Sequence, residues 1–340
     1  MLRMPKFEVQ NPTSLDEALK LLAEGGEQAV VVAGGTDLLP NIKHELFTPD
    51  TVISLQAIAE LRGVRVEDDG TLVIGALTPL QTVAESAEVQ ERAPALAQAT
   101  SLIAGPQLRR MGTLGGNVLL DTRCQWYNQT YFWREALGFC LKKDGTVCHV
   151  VEKGSRCVAA ASNDSAPVLM TLRATLEIHS PRGVREVLID DLWRNDGAMN
   201  KDLAGDEILA AIRVPAQAPG HKGAYGKLRD RGSIDFPLLG IAVRLDFDES
   251  GAVADADVVS VALQAQPVRV KQAADLLAGK QPGTEDFDEA LEALAQAAYK
   301  RCRPMPNIPG DHDYRREMVP VYLRRTVHAA VDGSGPVHHI

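Results

Sequence analysis

Two glycine-rich loops constrain the fold of this 340-residue chain more than any other feature. In "VVAGGTDLL" an apolar segment predicts a strand, two glycines follow, and a helix is predicted to begin at Thr36. The second loop, "GTLGGN", runs from Gly112 to Asn117. Glycine lets backbone N–H groups approach a phosphate closely, and a helix N-terminus attracts negative charge. Each loop is therefore a candidate pyrophosphate cradle, although a tight turn requires the same residues.

Neither of the two common nucleotide-binding signatures accompanies these loops. The sequence lacks G-x-G-x-x-G, which marks a Rossmann dinucleotide site, and G-x-x-x-x-G-K-[ST], which marks a P-loop. Two glycine loops without either signature leave room for a different dinucleotide-binding fold.

The remaining patterns predict an α+β chain of two or three subdomains, since 340 residues exceed one ordinary core. Ser14 and Glu17 have capping-box spacing at the start of an amphipathic helix, which Gly25 and Gly26 end. The segments predicted to be strands of one sheet with a polar face are "LAAIRVP", "GAYGKLRDRG", "FPLLGIAVRLDFD" and "ADVVSVALQAQ". Helices are then predicted from Val268 to Leu277, Asp286 to Arg301 and roughly His312 to Val331, followed by a fraying tail.

Charge and hydropathy exclude several classes of protein. A net charge of −9 and a pI near 5.4 argue against a general nucleic-acid binder, which needs a basic face. No apolar run approaches the ~20 residues that span a bilayer, so no membrane association is expected. The N-terminus lacks the apolar core of a signal peptide, which makes the cytoplasm the expected location.

One segment holds four of the five cysteines, which are Cys124, Cys140, Cys148 and Cys157. Clustered thiols in a reducing compartment more often bind metal or do redox chemistry than form disulfides. Zinc sites usually contain C-x2-4-C pairs, and this segment has none. Wide, irregular spacing is easier to reconcile with an iron–sulfur cluster. Free structural thiols, a disulfide pair and a small apolar core under a long insertion remain alternatives.

Six segments, taken in order, resemble the flavin subunit of the xanthine dehydrogenase or molybdenum hydroxylase family. They are "VVAGGTDLL", "LRRMGTLGGN", "SNDSAPVLMTLRATLEI", "EILAAIRVP" with "YGKLRDR", and "YRREMVPVYLRRTVHAA". The resemblance implies FAD bound in the fold shared with vanillyl-alcohol oxidase and p-cresol methylhydroxylase. It also implies an N-terminal FAD subdomain (1–56), a second FAD subdomain (57–219) with an insertion at about 122–158, a C-terminal α+β domain (220–331) and a tail (332–340).

The same resemblance implies an FAD site, carried over residue by residue. The residues expected around the pyrophosphate are Val31, Val32, Ala33, Gly34, Gly35, Thr36, Asp37 and Leu38. Those expected to line the flavin are Thr113, Leu114, Gly115, Gly116 and Asn117, with Ile103 near the ring system. Asp164 is expected to hydrogen-bond ribose or ribityl hydroxyls. Leu209 and Lys227 are expected beside the isoalloxazine, where a cation stabilises a reduced, anionic ring; the alternative for Lys227 is a solvated lysine on a strand edge.

The cysteine segment resembles the insertion that holds a [4Fe–4S] cluster in the β subunit of 4-hydroxybenzoyl-CoA reductases. The resemblance implies that Cys124, Cys140, Cys148 and Cys157 are ligands of such a cluster, flanked by Asp121 and Arg123. Cys302 is expected to be an ordinary buried thiol.

The implied function is electron transfer, with no catalytic side chain. The subunit would pass electrons between the cluster and FAD, and on to [2Fe–2S] clusters and a molybdopterin cofactor. Those groups would lie on a small and a large partner subunit, in a dimer of heterotrimers. The implied reaction is reductive dehydroxylation of 4-hydroxybenzoyl-CoA or a related aromatic CoA thioester during aromatic degradation. The alternatives are an oxidative molybdenum hydroxylase or aldehyde oxidoreductase, and a stand-alone flavin module with a zinc or redox-sensing cysteine site.

The charge of the insertion differs in sign from that of the whole chain. Between Arg123 and Cys157 six basic residues stand against three acidic ones. Small ferredoxins are typically acidic, so this segment predicts a basic patch that steers a ferredoxin electron donor. Ordinary solvated charges on an exposed insertion are the alternative.

Overall fold

Three β-sheets organise the described part of the chain, residues 2–308 and 310–338 of a computed structural model. The first sheet has three parallel strands in the order β1-β3-β2. The elements of this region are β1 (Glu8–Gln10), α1 (Leu15–Gly25), β2 (Ala29–Val32), α2 (Leu38–Lys43) and β3 (Thr51–Ser54).

The first helix forms where its pattern predicts. Ser14 caps α1 by accepting a hydrogen bond from the Glu17 N–H at 3.3 Å, and the Glu17 carboxylate accepts one from the Thr13 N–H at 2.9 Å. The apolar face of α1 packs against β3 through Leu15, Leu19 and neighbours in one buried cluster. Because β2 ends at Val32, the first glycine loop follows it directly at the edge of the sheet.

The second sheet is antiparallel, with strand order β4-β5-β8-β6-β7. Its early elements are β4 (Val64–Val66), β5 (Leu72–Gly75), α3 (Leu80–Glu85), α4 (Ala87–Arg92), α5 (Pro94–Ser101), α6 (Pro106–Met111) and α7 (Leu114–Val118). After the cysteine segment, which contains α8 (Tyr131–Ala136), come α9 (Ser165–Thr171), β6 (Thr175–Ser180), β7 (Gly183–Leu188) and β8 (Ile208–Val214).

The third sheet has the order β12-β11-β10-β9-β13. Its elements are β9 (His221–Leu228), β10 (Leu239–Phe247), β11 (Val253–Val261), β12 (Val268–Arg269), α10 (Ala273–Leu277), α11 (Glu285–Arg301), α12 (His312–Asp332) and β13 (Val337–His338).

The structure corrects four sequence predictions. The segment "LAAIRVP" forms β8 of the second sheet, because it pairs with β5 and β6. The third sheet has no polar face over β9 and β10, since α12 packs against both strands, α5 packs against β9 and α9 packs against β10. Val268 and Arg269 form an edge strand before the short α10, and Val337 and His338 of the expected tail pair with β9. Within residues 2–308 and 310–338, none of the helices combines the length and apolarity needed to cross a membrane.

Candidate functional site

A cavity of about 580 Å³ lies between the two glycine loops. It is lined by all but two of the residues that the resemblance assigned to FAD, namely Val31, Val32, Ala33, Gly34, Gly35, Thr36, Asp37, Leu38, Ile103, Thr113, Gly115, Gly116, Asn117, Asp164 and Leu209. Residues that are distant in sequence therefore line a single cavity, which is large enough for a small-molecule ligand or cofactor.

The glycine loops lie in direct contact with each other and with the second sheet. A Cβ added at Gly34 would collide with the backbone carbonyl of Met111, and one added at Gly115 would lie 2.7 Å from the Ala76 Cβ. Gly35 has a φ of 71°, in the left-handed region that favours glycine. These glycines allow the loops to approach closely, so the backbone itself forms much of the cavity wall.

The second loop is held by its own side chains. Thr113 caps α7 by accepting a hydrogen bond from the Gly116 N–H at 3.1 Å. The Asn117 Oδ1 accepts hydrogen bonds from the Ser165 N–H at 3.0 Å and from the Ser165 Oγ at 2.6 Å. Leu114, which the resemblance placed against the flavin, is fully buried in the core of the second domain and anchors the loop instead of lining the cavity.

Asp164 belongs to a buried hydrogen-bonded group behind the cavity wall. Its Oδ1 accepts from the Tyr225 hydroxyl at 2.8 Å, and its Oδ2 accepts from the Lys227 Nζ at 3.1 Å. The Lys227 Nζ also donates to the Leu102 carbonyl at 3.1 Å. Burial raises the pKa of Asp164 and lowers the pKa of Lys227, while the charge of each opposes the shift of the other.

The position of Lys227 differs from both alternatives considered for it. Its side chain is fully buried, so it is not a solvated lysine on a strand edge. Among the described residues it is also absent from the cavity lining, and it acts on the cavity through Asp164. Burial follows from the position of β9 in the middle of the third sheet, against α5.

An aromatic residue that the sequence pattern did not identify completes part of the wall. Phe236 lines the cavity, and the Arg123 guanidinium lies 3.8 Å from the centre of its ring. Arg123 also pairs with Asp37 across 3.4 Å. Burial lowers the pKa of Arg123 and raises that of Asp37, and the pair opposes both shifts. Neither contact has a local sequence signal, because each joins segments far apart in the chain.

A second, smaller cavity contains the four clustered cysteines. Cys124, Cys140 and Cys157 are buried and Cys148 is half-buried, and all four line this space. The pKa of the Cys124 thiol is raised to about 12, mainly by burial, and negative charge on Cys157, Cys140 and Cys148 contributes to the rise. Cys302 lies elsewhere, fully buried beside the Ser260 hydroxyl at 3.2 Å, as expected for a structural thiol.

Polar hydrogens and aromatic rings surround the sulfur atoms. The Cys148 Sγ accepts a hydrogen bond from the Val151 N–H, and the Cys157 Sγ accepts one from the Ala159 N–H, each at 3.4 Å. The ring of Trp126 lies 5.4 Å from that of His149, and both line the cavity. Hydrogen bonds to sulfur and exclusion of water are the features that set the potential of an iron–sulfur cluster.

The donor set of the smaller cavity indicates what it could hold. Four thiols line it, and none of them forms the C-x2-4-C pair that is usual in zinc sites. Four thiolates from widely spaced positions are a donor set that a [4Fe–4S] cluster accepts. The residues present therefore fit such a cluster.

The basic patch predicted for the insertion is wrong. The side chain of Arg134 is only 1% exposed and pairs with Asp144 at 3.2 Å, and that of Lys142 is only 5% exposed. Arg123 faces the larger cavity. The basic residues left toward solvent are Lys143, Lys153 and Arg156, and they are matched by Glu135, Asp144 and Glu152. The surface of the insertion is therefore close to neutral.

Two family models account for most of the chain. The model described as the FAD binding domain in molybdopterin dehydrogenase matches residues 5–217. The chain belongs to this family of FAD-binding subunits. The model described as the CO dehydrogenase flavoprotein C-terminal domain matches residues 223–330 of the same subunit.

Individual relatives of this FAD-binding subunit align over nearly its whole length. The carbon monoxide dehydrogenase medium chain of Hydrogenophaga pseudoflava is 32% identical, over 96% of this chain and 97% of the relative. The xanthine dehydrogenase FAD-binding subunit of Escherichia coli O157:H7 is 29% identical, over 95% of each. A solved carbon monoxide dehydrogenase from H. pseudoflava that lacks the Mo-pyranopterin moiety matches with a TM-score of 0.78 and 31% identity, over 96% of this chain and 98% of that one.

These comparisons confirm the family, the α+β fold with its FAD-binding and C-terminal domains, and FAD as a cofactor. The relatives are named as carbon monoxide and xanthine dehydrogenases, so they support an oxidative molybdenum enzyme better than a CoA-thioester reductase.

Proposed function

We propose that this chain is the electron-transfer flavoprotein subunit of a molybdenum-containing oxidoreductase, with FAD in the larger cavity and a [4Fe–4S] cluster in the smaller one. We base this on one observation: the two glycine loops line one cavity, the four cysteines line the other, and the segment from Asp121 to Asn128 contributes lining residues to both. When bound, the two groups would supply one-electron and two-electron transfer, and no side chain of this subunit would make or break substrate bonds.

The larger cavity offers the groups that FAD requires. Backbone amides of Gly34, Gly35 and Thr36, at the loop before α2, would hold the pyrophosphate. Asp164, fixed by Tyr225 and Lys227, would accept hydrogen bonds from ribose or ribityl hydroxyls. Leu209 and Ile103 would provide an apolar wall for the ring system. The buried Lys227 would hold the Asp164 carboxylate in place.

The smaller cavity offers four thiol ligands in a water-poor surrounding. Cys124, Cys140, Cys148 and Cys157 would hold the cluster, and the backbone amides of Val151 and Ala159 would stabilise its negative charge. A chain with both groups is suited to relaying electrons rather than to substrate chemistry.

The expected partners are a large subunit with the molybdopterin cofactor and a small subunit with [2Fe–2S] clusters, arranged as a dimer of heterotrimers. The proposed domain boundaries within this chain are 1–56, 57–219 with the insertion at 122–158, and 220–331. The relatives named carbon monoxide and xanthine dehydrogenases support an enzyme of this multisubunit type.

Two substrate classes follow from two different observations. The relatives support oxidative hydroxylation or dehydrogenation, with electrons leaving through FAD. The four-cysteine cavity, matching the insertion that the sequence resembles, supports reductive dehydroxylation of an aromatic CoA thioester such as 4-hydroxybenzoyl-CoA. A ferredoxin remains a possible electron donor in the reductive case, but the near-neutral insertion offers no basic surface to steer it.

Cofactor analysis of the purified complex tests the proposal. We expect one FAD per copy of this chain, released into the supernatant by trichloroacetic acid, together with iron and acid-labile sulfide in excess of what the [2Fe–2S] subunit holds. Flavin retained in the pellet, or zinc in place of the extra iron, contradicts the proposal. A substrate screen then separates the two classes: turnover of aromatic CoA thioesters with a reduced dye supports the reductase, and dye reduction by aldehydes or N-heterocycles supports the oxidative enzyme.

A further inference from the structure

The boundary between the two cavities contains an ion pair with one partner on each side. Asp121 lines the larger cavity and Lys142 lines the cysteine cavity. Their side chains meet at 2.8 Å between the Lys142 Nζ and the Asp121 Oδ1. The pair therefore places its cation toward the cysteines and its carboxylate toward the proposed FAD site.

The ammonium group of Lys142 is fixed by further contacts. The Nζ donates to the Thr122 carbonyl at 3.0 Å and to the Thr122 Oγ1 at 2.5 Å, so all three of its hydrogens have acceptors. The Nζ also lies 4.3 Å from the centre of the Tyr127 ring, and the side chain is 5% exposed. A cation held in this way keeps its direction and is weakly screened by solvent.

A charge in this position affects the two proposed groups in opposite ways. A [4Fe–4S] cluster with four thiolate ligands gains negative charge on reduction, and a nearby buried cation stabilises that state. A carboxylate at the FAD cavity disfavours extra negative charge there.

We propose that the Lys142–Asp121 pair sets the difference in reduction potential between the two groups, raising that of the cluster relative to FAD. This inference rests on the proposed function, because it requires both groups to be present. The competing explanation is that the pair only ties the insertion to the FAD domain. A structural tie predicts loss of iron or stability when either residue is changed, but it predicts no shift of opposite sign from the two ends.

Midpoint potentials of the cluster in the purified complex test this, measured by redox titration with EPR detection. We expect Lys142→Gln to lower the midpoint potential of the cluster by about 59 mV. For a one-electron couple this corresponds to about a tenfold change in the equilibrium constant for reduction. Asp121→Asn leaves the Lys142 charge uncompensated, so it should raise the midpoint potential of the cluster. The expected rise corresponds to a several-fold change in the same equilibrium constant. Lys142→Arg keeps the charge and should restore most of the wild-type value.

The neighbouring Lys143 provides the matched control. Its side chain is 40% exposed and pairs with Asp144 at 3.5 Å, so Lys143→Gln should leave the potential unchanged. Iron and FAD are counted in each variant.

The outcomes separate the two levels of inference. A wild-type complex without the cluster overturns the proposed function itself. A wild-type complex with the cluster, in which Lys142→Gln and Asp121→Asn leave the potential unshifted or shift it in the same direction, overturns the inference about the ion pair. If Lys142→Gln loses iron, the midpoint potential of the cluster in Asp121→Asn is the test: a rise supports the inference, and no rise overturns it.

Discussion

The two cavities are enclosed in different ways. The walls of the larger one come from the ends of β2, α7 and α9 and from the paired glycine loops, so hydrogen bonds within regular elements define it. The smaller one is enclosed by residues 122–158, a segment with only the six-residue helix α8. Its ends pair at Arg123 and Ala160, with two backbone hydrogen bonds of 2.8 Å.

The folding of the insertion is expected to depend on its bound group more than the folding of the FAD cavity does. The core of the insertion consists of Leu46, Tyr127, Ala159 and three of the cysteines themselves, with few other apolar side chains. Because the proposed metal ligands form half of this local core, we expect the free energy of metal binding to contribute to its folding. The FAD cavity, in contrast, is supported by the large cluster of the second domain and should persist when its ligand is absent.

The largest expected effect is that of Cys140→Ser. Loss of one thiolate should remove the iron held by this chain and make residues 122–158 sensitive to protease, while FAD stays bound. Cys302→Ser is the control, since that thiol is buried far from the cluster and should leave iron unchanged. Iron analysis and limited proteolysis check both variants, and equal iron in the two would show that the ligand assignment is wrong.

A second prediction concerns the buried pair behind the FAD cavity. Lys227→Met leaves the Asp164 carboxylate without its cation, so we expect a loss of about 3–5 kcal/mol in stability and weaker FAD binding. Thermal unfolding of the complex and flavin retention measure this. The exposed Lys222, on the same strand, serves as the control through Lys222→Met. If Asp164→Asn combined with Lys227→Met is as damaging as the sum of the single changes, the two residues are not coupled as described.

Gly34→Ala tests the contact between the glycine loops. The added Cβ collides with the Met111 carbonyl, and overpacking of this kind costs about 1–3 kcal/mol. FAD affinity should fall while iron is retained, which is the reverse of the Cys140→Ser result. Gly205→Ala is the control, because a Cβ there meets open space. Flavin titration of the apo-complex gives the comparison, and normal affinity in Gly34→Ala would contradict the close approach.

The smallest effect is expected for Lys143→Glu on the surface of the insertion. The exposed charges there are nearly balanced, so steering of an acidic electron-carrier protein should be weak. The rate of electron transfer from a small ferredoxin should change by less than about twofold at low ionic strength. A large, salt-dependent loss of rate would contradict this expectation and would support the basic docking surface that the sequence alone predicts.

Local features of this structure follow from the sequence, and features made by distant segments do not. The cap of α1 at Ser14 depends on residues a few positions away, so its spacing identifies it. The burial of Lys227 depends on which helices cover β9, and alternation along one strand contains no information about that. The inward direction of Lys142 likewise depends on Asp121, across a loop whose path no periodic pattern describes.

The same contrast between local and distant features holds for the residues of the candidate site. The glycine loops and the cysteines were predicted because their residue types are demanding and their chemistry is specific. The contact of Phe236 with Arg123 was missed, since neither residue type nor spacing marks a contact between the β9–β10 connection and the insertion. Membership of β8 in the second sheet was missed for a related reason: register and partner choice are set by pairing with β5 and β6.

Native mass spectrometry of this chain, released in the gas phase from the purified complex, tests the central claim most directly. We expect a mass that exceeds that of the polypeptide by one FAD and one [4Fe–4S] cluster, with the cluster mass lost in Cys140→Ser and retained in Cys302→Ser. A chain that carries FAD together with a single zinc ion, or FAD with no metal and no sulfide, would contradict it.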